Sequence, residues 1–399
     1  MNPEDLPDLR GLKDTKNYQS LEYDPRKRVL LTNRPFTIFA MLLDRTLGDF
    51  IYRNLFAATV RLRFRNSRLI VYYRPDRPYK DPIIELNPYI SWAWKSEGSN
   101  GIPIDYFDYM GGRPVRPRDK FWFHSLSAEP DLVLTPSIMD FDGLRGLAPF
   151  ARFAVPSDRA GPLHEQLLRA GVNKHRWFCV LHYREAGYRD SDAQIDRDLK
   201  AENPEAIIDH IIQQQDGQVV RIGHPGMTPI PARPGFVDIS GENESVLLHA
   251  YAVSRARYFL ELTPSGPVGF ASAFGVPMAR CNALSTLGPL EKPSFAMMQH
   301  IVGPQGQRVP RDVAVAKGLY STLAVKKVIA RYGFHFVRNS LAELCAAANE
   351  IFERTADVQG WRLPGPPLVS SFPEEFTLPL APPPGVEIIE FPAAMANFS

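Results

Sequence analysis

The 399-residue sequence predicts a two-domain α/β chain with parallel sheets. Three observations carry that reading. Short apolar runs bounded by turn residues alternate with amphipathic stretches, the pattern of strand–helix–strand units. The alternation occurs on both sides of a junction around 156–176, and the length suits two domains of about 100–200 residues. Hydrophobic residues make up 44% and charged residues 23%, so the chain has the means to build cores and general disorder is excluded.

The elements follow in order. Residues 1–34 are polar and read as an arm on a surface. Phe36 to Leu43 is an apolar run too short for a typical helix and reads as a buried strand. Apolar positions at Ile51, Leu55, Phe56, Ala58, Thr59 and Leu62 give a helix after the Thr46–Phe50 turn. The run Leu69 to Tyr73 is the next strand, which completes a βαβ unit. Residues 74–120 are dense in Pro, Gly and aromatics and read as loops with short helices. DLVLTPSIMD (131–140) reads as a further strand followed by a turn, and 151–156 reads as the last strand of this half.

The second half is more regular. A helix over 162–172 leads to a strand over 177–183. A helix over 203–215 follows, with Asn203 as N-cap, Pro204 at the first position and Gly217 at the C-cap. Strands over 218–223 and 236–240, a helix after Glu244, a strand over 257–262 and a short helix closed by Gly275 come next. The last units are a strand near Phe336 and a helix capped by Ser340. The domains are therefore 35–156 and 157–355, and the proline-rich tail 356–399 is extended.

Composition removes several function classes. The charges, 46 Lys+Arg against 44 Asp+Glu, leave +2, so bulk charge does not select a nucleic acid or a membrane surface. Cys179, Cys281 and Cys345 are far apart and odd in number, which argues against a disulfide framework. The first residues lack an apolar segment, and no run approaches the ~20 residues of a spanning helix. A cytoplasmic protein is expected. The P-loop, Gly-x-Gly-x-x-Gly, Gly-x-Ser-x-Gly and His-Glu-x-x-His motifs do not occur.

Open parallel sheets bind ligands at the carboxyl ends of their strands. In the second half those ends offer His182, Arg184, Tyr188 and Arg189, then Arg221, Gly223 and His224, then Thr263, Ser265 and Gly266. Guanidinium forks suit phosphate oxygens, and a Ser-led helix start offers amides to an anion. Together they predict a diphosphate pocket made without metal. Asp190 and Asp192 have Asp-x-Asp spacing, but nearby arginines in a polar loop argue against a metal site. The plainer readings remain: Arg184 and Arg189 pair with Glu185, Asp190 or Asp192, His182 is a satisfied core histidine, and the Thr263–Gly266 stretch is a tight turn. Arg221 follows two valines, where a charge is costly unless paired. The basic run Arg61, Arg63, Arg65 and Arg68 reads as a solvated helix end rather than a nucleic-acid stripe.

The segments WFCVLHYREAGY, VVRIGHPGM and RYFLELTPSGPVGFASAFGVP resemble the C-terminal half of a family of bacterial glycosyltransferases found with surface-polysaccharide genes, and DLVLTPSIMD fits the first half. The resemblance covers about 35–355. It implies a GT-B fold: two Rossmann-like domains facing across a cleft, nucleotide sugar on the second and acceptor on the first. HYREAGY is also similar to the His-x-Arg-Arg-Gly-Asp-Tyr segment of GDP-fucose-dependent fucosyltransferases, although Glu185, Ala186 and Gly187 replace Arg, Gly and Asp. TLGDF resembles the Gly-Asp turn of heptosyltransferase-type enzymes, which makes Asp49 the base candidate; an N-cap is its plainer reading.

The expected activity is therefore metal-independent transfer of a sugar from a nucleotide diphosphate sugar to a hydroxyl on a glycan, lipid-linked or protein acceptor, with inversion, in surface-glycan synthesis. Asp49 or His182 would take the acceptor proton. Arg221→Ala is expected to cost activity more than stability. The rival is a non-catalytic nucleotide- or sugar-binding scaffold of a glycan assembly complex, which needs the pocket but no base.

Overall fold

The structure, a computed structural model, describes residues 36–64, 67–95, 132–134, 149–185, 204–241, 245–284, 291–320, 325–363 and 389–390, with Met139, Leu144 and Leu147 as single positions. The expected arm 1–34, most of the tail, Asn203, Tyr188, Arg189 and the Asp190–Asp192 pair lie outside these residues. Two compact units are present, each an α/β layer on a parallel sheet. The first holds the described residues up to Pro156 together with 389–390; the second holds Ser157 to Leu363.

In the first unit, β1 (Phe36–Leu42), α1 (Leu47–Arg61) and β2 (Ser67–Tyr73) form the predicted βαβ unit. Thr37 through Leu42 are fully buried, which is why the run is apolar on both faces rather than alternating. The helix starts four residues before the apolar periodicity does. Thr46 is its N-cap residue and Asp49 falls in its first turn, where a carboxylate meets the positive end of the helix. Then come α2 (Lys80–Glu85), β3 (Ile90–Lys95) and β4 (Leu132–Leu134). The parallel strands run in the order β3-β2-β1-β4. Residues 151–156, expected as a strand, are not one. The Ala154 amide donates to the Leu86 carbonyl at 2.9 Å, a single bond rather than a ladder.

The second unit opens with α3 (Ser157–Arg169), earlier than the 162–172 expected. It continues with β5 (Phe178–His182), α4 (Pro204–Gln214), β6 (Gln218–Arg221), β7 (Phe236–Asp238), α5 (Val246–Arg255), β8 (Tyr258–Glu261), α6 (Val268–Phe274), β9 (Met278–Ala283) and β10 (Phe295–Met298). All six strands are parallel, in the order β7-β6-β5-β8-β9-β10. Counted within the unit, that is 3-2-1-4-5-6, the order of a doubly wound dinucleotide-type sheet, and it reverses direction between β5 and β8. Gly275 closes α6 with φ +62°, as expected. The C-cap assigned to Gly217 is corrected: Asp216 takes the left-handed conformation (φ +51°). Gly217 is small because a Cβ there would lie 2.1 Å from the Trp177 indole.

A four-element appendage follows. It consists of β11 (His300–Val302), α7 (Arg311–Ala316), α8 (Val325–Ala330) and β12 (His335–Val337), with β11 and β12 antiparallel. It has its own core of Ile301, Val309, Leu319, Ile329 and Phe334. The closing helix α9 (Leu341–Glu353) carries the expected Ser340 cap, in a full capping box with Glu343. Ile207, Ile208 and Ile211 of α4 and Leu344 and Ile351 of α9 pack with Cys179, Val219 and Leu260 of the sheet. Each such aliphatic side chain contributes about 1.5–3 kcal/mol. Back in the first unit, β13 (Ile389–Glu390) pairs antiparallel with β4. The three cysteines are free thiols. Among the described residues no helix is long and apolar enough to cross a membrane.

Candidate active site at the reversal of the second sheet

The carboxyl ends of β5 and β8 lie side by side, and the chain leaving each is tied to the other. The Leu262 amide donates to the His182 carbonyl at 2.9 Å. The Arg184 amide donates to Thr263 Oγ1 at 2.8 Å. Ser265 Oγ lies 2.8 Å from His182 Nδ1. Beneath them Glu261, fully buried at the end of β8, accepts from the Ser265 amide (2.7 Å) and hydroxyl (3.1 Å). Its other oxygen accepts from Arg280 Nε at 2.6 Å. A buried carboxylate without that cation would be prohibitive. The result is a relay, Arg280–Glu261–Ser265–His182, that fixes the imidazole at the point where the strand order reverses.

The electrostatics around His182 are positive. Burial pushes its pKa down to about 3, and His249, His224, Arg184 and Arg221 push in the same direction. The imidazole is therefore neutral near pH 7. The expected role of proton acceptor would thus fall to a neutral but weakly basic imidazole, in surroundings that favour anions. His224 is also shifted down, first by burial and then by Arg184 and Arg221, against the pull of Glu185.

Arg221 sits one strand over, at the end of β6, and is only 1% exposed. Its guanidinium donates to the Tyr183 hydroxyl (2.6 Å), to the Thr228 carbonyl (2.8 Å) and to Asp238, which lies opposite it on β7. Burial raises the Asp238 carboxyl, but hydrogen bonds from Arg221 and Ser240 outweigh that and hold it below the usual range. The expectation that Arg221 meets the diphosphate directly is thus revised: its fork is taken up inside the protein, where it sets the geometry of three chain segments. Gly223 has a packing reason as well, since a Cβ there would lie 1.9 Å from Met227 Sδ.

The Ser-led amide nest is also smaller than expected. The Ser265 amide is occupied by Glu261, and α6 starts only at Val268 and has seven residues. Of the expected donor-site residues, the structure brings His182, Arg184, Thr263, Ser265 and Gly266 to one place, with Arg221 and Gly223 beside it. Glu261 and Asp238 escaped the sequence reading. Their signal was an acidic residue closing an apolar strand.

In the first unit, Asp49 is exposed and accepts from Thr46 Oγ1 at 2.5 Å. A second carboxylate, Asp44, is almost fully buried just after β1 and pairs with Arg53 at 2.5 Å. Its Oδ2 has no hydrogen-bond partner, and burial raises its pKa against the opposing pull of Arg53. The basic run does not form a stripe: Arg63 is buried on the Leu147 carbonyl and Arg68 Nε donates to Thr37 Oγ1, while Arg65 lies outside the described residues. Among the described residues no group of three His, Cys, Asp or Glu is placed to hold a metal ion.

No protein-family model matches the sequence, and no curated protein matches it. Solved structures do. One is a glycosyl transferase of family 9 from Veillonella parvula, 13% identical, covering 82% of this chain and 100% of that one, with a TM-score of 0.49. A second is the ADP-heptose LPS heptosyltransferase II of E. coli, 12% identical, with 79% and 100% coverage and a TM-score of 0.44. A third is the E. coli heptosyltransferase WaaC with ADP, 9% identical, with 78% and 99% coverage and a TM-score of 0.38. At these identities and scores the likeness assigns no activity to this chain.

Proposed function

We propose that this chain is a glycosyltransferase that moves a sugar from a nucleotide diphosphate sugar to a hydroxyl acceptor in surface-glycan synthesis, by inversion. The observation that supports this most directly is the His182, Arg184, Ser265 cluster. It sits at the reversal of a doubly wound sheet, where such sheets take nucleotides, and it gathers a buried, neutral histidine, a hydroxyl and a guanidinium at two adjacent strand ends.

In this reading Arg184 takes the diphosphate, and Thr263 holds its backbone in place. Ser265 and the neutral His182 hydrogen-bond the phosphate or the ribose, with Gly266 next in the chain. Tyr188 and Arg189, outside the described residues, are assigned to the donor site from the sequence alone, while Arg221 and Gly223 shape the neighbouring strand end. The anomeric C–O bond breaks with its electron pair going to the diphosphate oxygen, and the cations stabilise that charge without a metal. The acceptor oxygen forms the new bond and its proton passes to Asp49. Access favours Asp49 over Asp44, because Asp49 is exposed and Asp44 is enclosed.

A thermal-shift panel of ADP, GDP, UDP, CDP and dTDP tests the pocket. A diphosphate at 100 times its dissociation constant adds about 2.7 kcal/mol, and Arg184→Ala should abolish the gain. No response to any of the five discards the donor site. Transfer or hydrolysis of the matching nucleotide sugar then separates the enzyme from the scaffold reading, which predicts binding without turnover.

A further inference from the structure

The near-neutral chain hides a local concentration of charge. Residues 300–341 hold seven Lys or Arg and one acidic residue, Asp312, a formal +6; with the whole chain at +2, the remainder carries −4. This is the appendage formed by β11, α7, α8 and β12. Four of its cations, Arg308, Arg311, Lys327 and Arg331, are exposed and make no ion pair among the described residues. Exposed apolar side chains concentrate there too. Of six large hydrophobics left exposed among the described residues, three, Val315, Tyr332 and Val337, lie on it, and a fourth, Leu341, opens the adjoining α9.

The two kinds of side chain are interleaved. Arg311 and Val315 are four apart on α7 and share a face. Lys327 and Arg331 are four apart along α8 and its end, and Tyr332 follows directly. His335 and Val337 lie on one side of β12, opposite Phe336, which packs on the appendage core.

We infer that this appendage docks on an anionic phospholipid surface. Unpaired cations are drawn to the negative headgroup layer, and exposed Val, Leu and Tyr side chains gain from the boundary with the acyl chains. The cations alone would equally suit a phosphate backbone. The aliphatic residues favour lipid, because single-strand binders use aromatic stacking platforms and this surface exposes a single large aromatic ring, Tyr332.

Co-sedimentation of the full chain with vesicles tests the inference. One set is pure phosphatidylcholine; the other is equal parts phosphatidylcholine and phosphatidylglycerol. Binding is expected to the second set alone and to fade as salt is raised. Lys327→Glu/Arg331→Glu should weaken it by about tenfold or more. Val315→Ser/Tyr332→Ser, which leaves the charge unchanged, should weaken it about fivefold. All four side chains are exposed, so folding is expected to survive and circular dichroism checks it. Absence of binding, equal binding to both vesicle sets, or indifference to either double variant overturns the inference. So does binding to mixed-sequence single-stranded DNA in place of vesicles. None of these results bears on nucleotide binding, which is measured separately.

Discussion

His182 shows how a residue's surroundings decide its chemistry. In the native protein it stays neutral down to about pH 3, whereas an unfolded histidine titrates near 6.5. Between those values the unfolded chain binds the extra proton. The native state therefore keeps this contribution in full above about pH 6.5 and loses it progressively as pH falls toward 3. His182→Asn removes the step, so its melting temperature should fall less than the native protein's between pH 7 and pH 5. Parallel falls would show that the imidazole is not held neutral. Arg221 makes the complementary case. Its guanidinium is enclosed between Tyr183, Thr228 and Asp238, so Arg221→Ala removes three hydrogen bonds and leaves a gap, and should cost about 1–2 kcal/mol in urea unfolding. The enclosed fork thus adds a stability effect to the effect on activity expected from the sequence. The sequence showed that a charge after two valines needs a partner. It could not show which, because Asp238 lies seventeen residues on and meets Arg221 only through the β6–β7 register.

At the scale of elements, periodicity and caps were legible and surroundings were not. Strands β5, β6, β7, β8 and β12 and the helices with strong apolar stripes follow from spacing alone, whereas β10 and β11 were not read from the sequence. Ser340 was readable as a cap from its place before an apolar-periodic stretch, and it forms the capping box with Glu343. Ser340→Ala should therefore cost about 1 kcal/mol, read as a lowered urea midpoint with an unchanged slope. Gly217 was assigned by the same logic and failed, because the turn after α4 is set by Asp216 and the glycine is there to admit Trp177. Gly217→Ala should destabilise by more than the fraction of a kcal/mol typical of a surface change, since it drives a methyl group into an indole. Residues 151–156 failed for a related reason: an extended, partly apolar segment becomes a strand only where a neighbour offers a ladder. The relay under His182 was invisible for want of the same information, since Glu261 and Arg280 lie nineteen residues apart and meet across β8 and β9.

At the scale of the molecule, the doubly wound order of the second sheet explains why residues far apart in sequence make one site. His182 and Ser265 are eighty-three residues apart, yet adjacent strand ends bring them within 2.8 Å. The strand alternation in the sequence implied such a sheet, and listing polar residues at strand ends was enough to find most of the cluster. The proposed reaction also divides between the units: every donor-binding group belongs to the second unit, while Asp49 belongs to the first. Binding and turnover should then separate by mutation. Asp49 is exposed and bonded to Thr46, so Asp49→Asn should change stability by roughly 0.5 kcal/mol or less. The same variant should leave the dissociation constant of the nucleotide diphosphate unchanged while kcat falls by about a hundredfold or more, the usual cost of a lost general base. Arg184→Ala should do the opposite to binding and weaken it strongly. Calorimetric titration beside steady-state transfer assays measures both quantities. If Asp49→Asn weakens nucleotide binding as much as Arg184→Ala does, the division of labour is wrong, and the first unit's carboxylate acts on the donor rather than on the acceptor's proton.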